Sequence, residues 1–185
     1  EGTFATLDRD ASEPRFATRV KAVWIPGEGV AFGFTLAEPD PGGIKANAIQ
    51  HDEMVYADDC IEMFLDPWAK FDRFFQIVFN TKGTLFDALY FNEGKGWNSD
   101  NIERRAHIGK DAWTLEIFIP FATLQIGKAA TGDQWYGNFT RSRWRGEDKG
   151  GNELSRFSTD YTAKGDLSLR ANLNTAHFCI LKFIE

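Results

Sequence analysis

Tyr56-Ala57-Asp58-Asp59-Cys60-Ile61-Glu62-Met63-Phe64-Leu65-Asp66-Pro67 carries the clearest strand signal in the chain. In an extended backbone successive side chains point to opposite faces. From Asp58 to Asp66 that rule puts Ile61, Met63 and Leu65 on one face, and Asp58, Cys60, Glu62 and Phe64 on the other. The first face is apolar and reads as core. The second carries a carboxylate at its centre, so Glu62 points away from the apolar core or into a polar groove.

The same period recurs on both sides of this stretch. Val30, Phe32, Phe34 and Leu36 alternate with Ala31, Gly33 and Thr35, and Trp113, Leu115, Ile117 and Ile119 alternate with Thr114, Glu116 and Phe118. Further strands are expected at Phe16–Trp24, Phe74–Asn80, Ile102–Ile108, Trp135–Ser142 and His177–Ile184. Turn-rich segments such as Pro26-Gly27-Glu28-Gly29 and Pro39-Asp40-Pro41-Gly42-Gly43 separate them. No long helical period stands out, and one helical turn is expected after Pro120, over Phe121 to Leu124. About nine or ten short strands with so little helix describe an all-β antiparallel sandwich of the immunoglobulin or jelly-roll kind. No repeat interrupts it, so residues 1–185 are expected to form a single domain.

Composition narrows the function classes. The chain has 185 residues, too few for a (β/α)₈ barrel of roughly 200–250 or more. Hydrophobic residues at 43% and charged residues at 26% exclude a mainly disordered chain. No apolar run approaches the roughly 18 residues of a membrane span, and no basic-then-apolar opening is present, so any signal peptide is expected to be already absent. The net charge of −6 disfavours a nucleic-acid partner, because the local basic cluster Arg141, Arg143, Arg145 is followed by Glu147 and Asp148. Cys60 and Cys179 lack paired metal spacing; they read as small buried hydrophobes on separate strands, or as one disulfide.

Several pieces of this chain resemble carbohydrate-binding module family 9, in that family's order. The Tyr56–Pro67 stretch is similar to its "W-x-x-D-x-V-E-I-F-x-D" strand. Val20-Lys21-Ala22-Val23-Trp24, Phe75-Gln76-Ile77-Val78-Phe79-Asn80 and Trp113 to Pro120 resemble its early, middle and "E-x-x-I-P" strands. Trp135 to Phe139, Phe157-Ser158 and His177 to Phe183 resemble its later ones. The resemblance implies a β-sandwich of the DOMON-like superfamily that binds carbohydrate without chemistry. It also implies a module associated with a glycoside hydrolase, and hence a secreted, periplasmic or cell-surface location with further domains beside it. On that pattern Tyr56 stands at the first aromatic position and Glu62 at the glutamate position. Val78 occupies the family's arginine position, and the loop after Ser158 offers Tyr161 rather than a second tryptophan.

An aromatic ring stacks on the C–H face of a pyranose, removing apolar area from water at about 25 cal/mol per Å². Charged and amide groups then hold its hydroxyls. Tyr56, Glu62, Gln76, Arg141 and Tyr161 are the expected ligand-binding set. The competing reading pairs Glu62 with Arg141 or Arg143 as a fixed ion pair in a sandwich that has lost sugar binding and serves as a structural or interaction domain. Trp24, Trp113 and Trp135 fit core positions, while Trp68, Trp97 and Trp144 are reserve platforms.

Other chemistries have weaker support. Asp58 and Glu62, roughly 13 Å apart at ~3.3 Å per residue, fit neither glycosidase geometry, which leaves a cross-strand pair such as Glu62 with Glu116. Asp58, Asp59 and Asp66, with Asp8 and Asp10, are hard oxygen donors that suit a structural calcium ion, which the resemblance also implies. His51, His107 and His177 are scattered, against a zinc centre. A haem reading rests on Met63 and Met54. Asn138-Phe139-Thr140 matches a glycosylation sequon but lies inside an expected strand.

Overall fold

The structure is a computed structural model that describes residues 2–6, 13–90, 97–99, 101–145, 151–157, 175 and 178–184. Its five-stranded sheet has the order β1 (Gly2–Thr3), β3 (Thr18–Ile25), β4 (Gly29–Ala37), β9 (Ala112–Pro120), β8 (Glu103–Ile108). The seven-stranded sheet has the order β2 (Ala5–Thr6), β11 (Glu153–Arg156), β10 (Gln134–Arg143), β5 (Cys60–Asp66), β6 (Phe74–Asn80), β7 (Leu85–Tyr90). The remaining strand, β12 (Cys179–Lys182), shares one edge of β10 with β11. Every pairing is antiparallel.

Period-2 alternation builds the core. Phe32 and Phe34 of β4 pair with Ile117 and Leu115 of β9, and all four face Ile61, Met63, Leu65, Phe75, Ile77 and Phe79 in one buried cluster. Phe139 of β10 crosses between the sheets, its ring 5.5 Å from Phe32 and 5.6 Å from Phe34. The structure is therefore the all-β sandwich that the alternation predicts. Trp113 and Trp135 are buried and Trp24 packs against the core, as expected.

The two sheets differ in what they do with their outer faces. In the five-stranded sheet the outer face is open to solvent, with Lys21 of β3, Arg105 of β8 and Glu116 of β9 exposed. In the seven-stranded sheet every residue of β5 and β6 is buried, on both faces.

Some expectations need correction. Phe121 to Gln125 forms consecutive turns, with Thr123 N–H on Pro120 O and Gln125 N–H on Ala122 O, instead of a helix. The short helical turns are 3₁₀ segments at Pro41–Gly43 and Val55–Ala57. Strands β1, β2, β7 and β11 lie outside the expected set. Asp58 and Asp59 precede β5 rather than lying on it. Trp68 and Trp97 are not free platforms: both pack on Phe75, with ring centroids 5.1 and 4.4 Å away. Trp144 is half-buried. Cys60 and Cys179 are free thiols. Asn138 of the sequon is buried within β10. Among the described residues no helix is long and apolar enough to cross a membrane.

Candidate functional site

The register of the seven-stranded sheet assembles a polar patch on its outer face. Across the strands, Arg156 pairs with Thr140, Thr140 with Glu62, Glu62 with Val78 and Val78 with Phe86. In the adjacent row Asn138 pairs with Phe64, Phe64 with Gln76 and Gln76 with Ala88. Gln76 Nε2 donates to Glu62 Oε2 at 2.8 Å.

Glu62 is 4% exposed, and burial pushes its carboxyl up to about 7, against the Gln76 hydrogen bond and the Arg156 charge, which favour the ionised form. Beside it, Gln76 Oε1 and Thr140 Oγ1 are buried with no hydrogen-bond partner among the described residues. A buried polar atom left unsatisfied costs about 1–3 kcal/mol. These orphans lie on the two strands flanking the carboxylate, so the patch is short of partners that a ligand hydroxyl can supply.

Tyr56 approaches from the side. The 3₁₀ turn Val55–Ala57 drops Val55 into a small cluster with Ala48, Cys60 and Val78. That anchors the turn and leaves Tyr56 38% exposed, its ring edge-on to Phe86 at 5.4 Å and 88°. Tyr90, stacked on Phe74 at 5.2 Å and 17°, links the two parts. Its phenol is held above the usual range first by burial, then by the charges of Glu62 and Tyr56. The expected Tyr56, Glu62 and Gln76 therefore share one face. Tyr161 lies outside the described residues, as do Asp8, Asp10 and His177.

Arg141 does not belong to this set. It follows Thr140 by one residue on β10 and so points to the opposite face. There Arg141 Nη1 donates to Phe16 O (2.9 Å) and Thr18 Oγ1 (3.3 Å), and Nη2 donates to Ala37 O (2.7 Å). Arg143 grips Glu38 with two bonds of 2.9 and 3.1 Å. Arg145 bridges Glu38 at 2.9 Å and Asp59 at 2.6 Å. Burial lowers the Arg141 guanidinium to about 10, and burial raises the Asp59 carboxyl. The expected pairing of Glu62 with Arg141 or Arg143 is thereby excluded: those arginines face Glu38.

Other expected groupings dissolve for similar reasons. Asp58 accepts from Asn47 N–H, Ala48 N–H and Asn80 Nδ2. Asp59 serves Lys45 N–H and Arg145, and Asp66 takes the N–H groups of Trp68, Lys70 and Phe71. Each fixes its own loop, so the three do not fit a calcium site. Of the two methionines that could serve as an axial haem ligand beside a His or Lys, Met63 is sealed among apolar core side chains and Met54 is 66% exposed. Glu116 lies on the exposed outer face of the other sheet, which removes its pairing with Glu62.

Thr140 and Arg156 are the members that sequence reasoning missed. Arg156 sits in no recognisable motif and Thr140 only in the sequon, which says nothing of this role; their place follows from the β5–β10–β11 register alone.

No family model matches the chain, and no curated protein matches it. Solved structures do, among them the following three. One is a Bacteroides uniformis protein provisionally assigned as carbohydrate-binding: 19% identity, 98% of this chain and 86% of that one, TM-score 0.69. Another is a carbohydrate-binding module family 9 domain from Caldicellulosiruptor kristjanssonii in complex with glucose: 12% identity, 98% and 84%, TM-score 0.68. The third is a family 9 domain from the same organism in complex with cellotriose: 13% identity, 100% and 82%, TM-score 0.66. At such identities the likeness is one of fold, and the chain has the fold of the family 9 modules.

Proposed function

We propose that this protein is a non-catalytic carbohydrate-binding module that seats a saccharide on the outer face of its seven-stranded sheet. The observation that carries the reading is the pair Gln76 Oε1 and Thr140 Oγ1, which flank the buried Glu62 and have no hydrogen-bond partner among the described residues. Tyr56, exposed and braced by Phe86, is the stacking ring. Glu62 and Gln76 take hydroxyls, and Arg156 supplies from β11 the positive charge that Val78 leaves missing on β6. The solved structures of this fold hold glucose and cellotriose, so a glucose unit or short β-glucan chain is the first ligand to try. The other carboxylate on this face of β5, Asp66, stands four residues from Glu62, roughly 13 Å along the strand at ~3.3 Å per residue, and is taken up by the N–H groups of Trp68, Lys70 and Phe71; that spacing fits neither glycosidase geometry and favours binding over hydrolysis. Association with a glycoside hydrolase, and an exported location, follow from the resemblance.

Isothermal titration with glucose and cellotriose tests this. Binding by the native protein, weakened about tenfold or more by Tyr56→Ala and by Glu62→Ala, is the expected result; the lost apolar area of the ring accounts for the first and one lost charge-assisted hydrogen bond for the second. Val78, fully buried where the family carries arginine, favours a second reading, a structural domain of this fold. Absence of binding to any soluble glucan, xylan or mannan on affinity electrophoresis establishes that reading instead.

A further inference from the structure

We propose that His51, Asp52 and Asp87 form a binding site for a divalent cation of the zinc class, clasping the Tyr56 loop to strand β7. The ligand atoms of the three side chains all lie within 4.8 Å of one another. His51 Nε2 is 2.7 Å from Asp87 Oδ2 and 3.5 Å from Asp52 Oδ1. Asp87 points to the inner side of β7, between Leu85 and Leu89, and its side chain is 1% exposed.

A second observation concerns how that carboxylate is partnered. Asp87 Oδ2 receives His51 together with Ser99 N–H (3.2 Å) and Ser99 Oγ (2.7 Å). Oδ1 of the same group is buried and has no hydrogen-bond partner among the described residues. A fully desolvated carboxylate oxygen without a donor is costly, and a cation satisfies it where the surrounding protein does not.

The scaffold is preorganised by the free edge of β7. Asp52 N–H donates to Leu85 O at 3.0 Å, and Asp87 N–H reaches Asp52 Oδ1 at 3.4 Å, so residue 52 is pinned along the strand. The donor set decides the metal. Calcium and magnesium take oxygen ligands, six or more for calcium. One imidazole with two carboxylates is the three-ligand set of a zinc-class ion, with Ser99 Oγ or water completing the tetrahedron. Filling the site moves His51 away from its present hydrogen bond, since nitrogen and oxygen then both point at the ion. Tyr56 lies four residues beyond Asp52 and packs on Phe86, next to Asp87, so the ion stiffens the ring's support.

Metal-stripped protein titrated with zinc chloride by calorimetry tests the proposal without any sugar present. The expected result is one ion per chain, affinity reduced at least about tenfold in His51→Ala, and a melting temperature raised by zinc in the native protein but not in that variant. Asp87→Asn is the second variant, checked for folding by circular dichroism. Calcium is the contrasting ion and is expected to bind far more weakly. Absence of zinc binding, zinc binding unchanged in His51→Ala, or calcium bound as tightly as zinc overturns it. Because the readout is the metal alone, failure here leaves the saccharide reading standing.

Discussion

Strand β10 carries two buried polar clusters back to back, and they have opposite characters. On its inner side Arg141 and Arg143, with Arg145 just beyond the strand, meet Glu38 and Asp59 in a knot whose side chains are only 1–2% exposed. On its outer side Thr140 joins Glu62, Gln76 and Arg156, and there Gln76 Oε1 and Thr140 Oγ1 have no hydrogen-bond partner among the described residues. The first cluster is closed around its carboxylates: each has guanidinium partners and each contact ties segments distant in sequence, although Arg145 Nε and, on the same side of β11, Ser155 Oγ have no hydrogen-bond partner among the described residues. The second is open in the chemical sense. Burial alone does not mark a functional site: the inner carboxylates are met by guanidinium groups, whereas burial pushes the Glu62 carboxyl up to about 7 beside two oxygen atoms with no hydrogen-bond partner among the described residues.

The largest effect is expected on the closed side. Glu38→Ala leaves Arg143 and Arg145 without a shared carboxylate in a desolvated place, a loss of about 3–5 kcal/mol. Urea denaturation reads it. A loss below about 1 kcal/mol contradicts the view that this knot holds the sandwich together.

Next comes the pH response of the open side. Burial raises the Glu62 carboxyl from 4.5 to about 7. A carboxyl whose folded value lies above its unfolded value stabilises most below the unfolded value, and the contribution is lost as pH rises through the folded one. Stability is therefore expected to fall between about pH 4.5 and 7. At about 1.36 kcal/mol per pKa unit, the Glu62 share is about 3 kcal/mol. Glu62→Gln removes that share. Stability curves taken across this range check it; an unchanged slope in the variant breaks the contrast between the clusters. The exposed rim supplies the low end of the scale. Arg15, 61% exposed beside Glu153 at 3.8 Å, is expected to cost under about 1 kcal/mol when changed to alanine.

Much of this was legible from residue order. The period of two placed Glu62 opposite Ile61 and Met63, and it put Phe32, Phe34, Leu115 and Ile117 in the core. Strand β7 escaped because Asp87 interrupts its inner row between Leu85 and Leu89, an inward charge of the sort that edge strands use against further pairing. Arg141 was misplaced by one residue of register, and in a strand one residue is a whole face. Arg156 and Thr140 were out of reach for a different reason. Their meeting with Glu62 depends on which strands neighbour one another, and β11 pairs with β10 while β5 lies on β10's other side. Nothing local in Glu153-Leu154-Ser155-Arg156 announces that neighbour.

Two threonines give the finest test of the contrast. Thr18 and Thr140 are 3% and 2% exposed and both lie in strands, where valine is a close substitute in shape. Thr18 Oγ1 accepts from Arg141 at 3.3 Å on the closed side, whereas Thr140 Oγ1 has no partner among the described residues on the open side. Thr18→Val is expected to cost about 1 kcal/mol of stability and leave saccharide affinity alone. Thr140→Val is expected to leave stability unchanged or raise it by up to about 1 kcal/mol, because a desolvated hydroxyl without a partner is removed. Its affinity for saccharide falls about three- to tenfold, the worth of one hydrogen bond. If both valines act alike, on stability or on affinity, the two sides of β10 do not divide structure from binding.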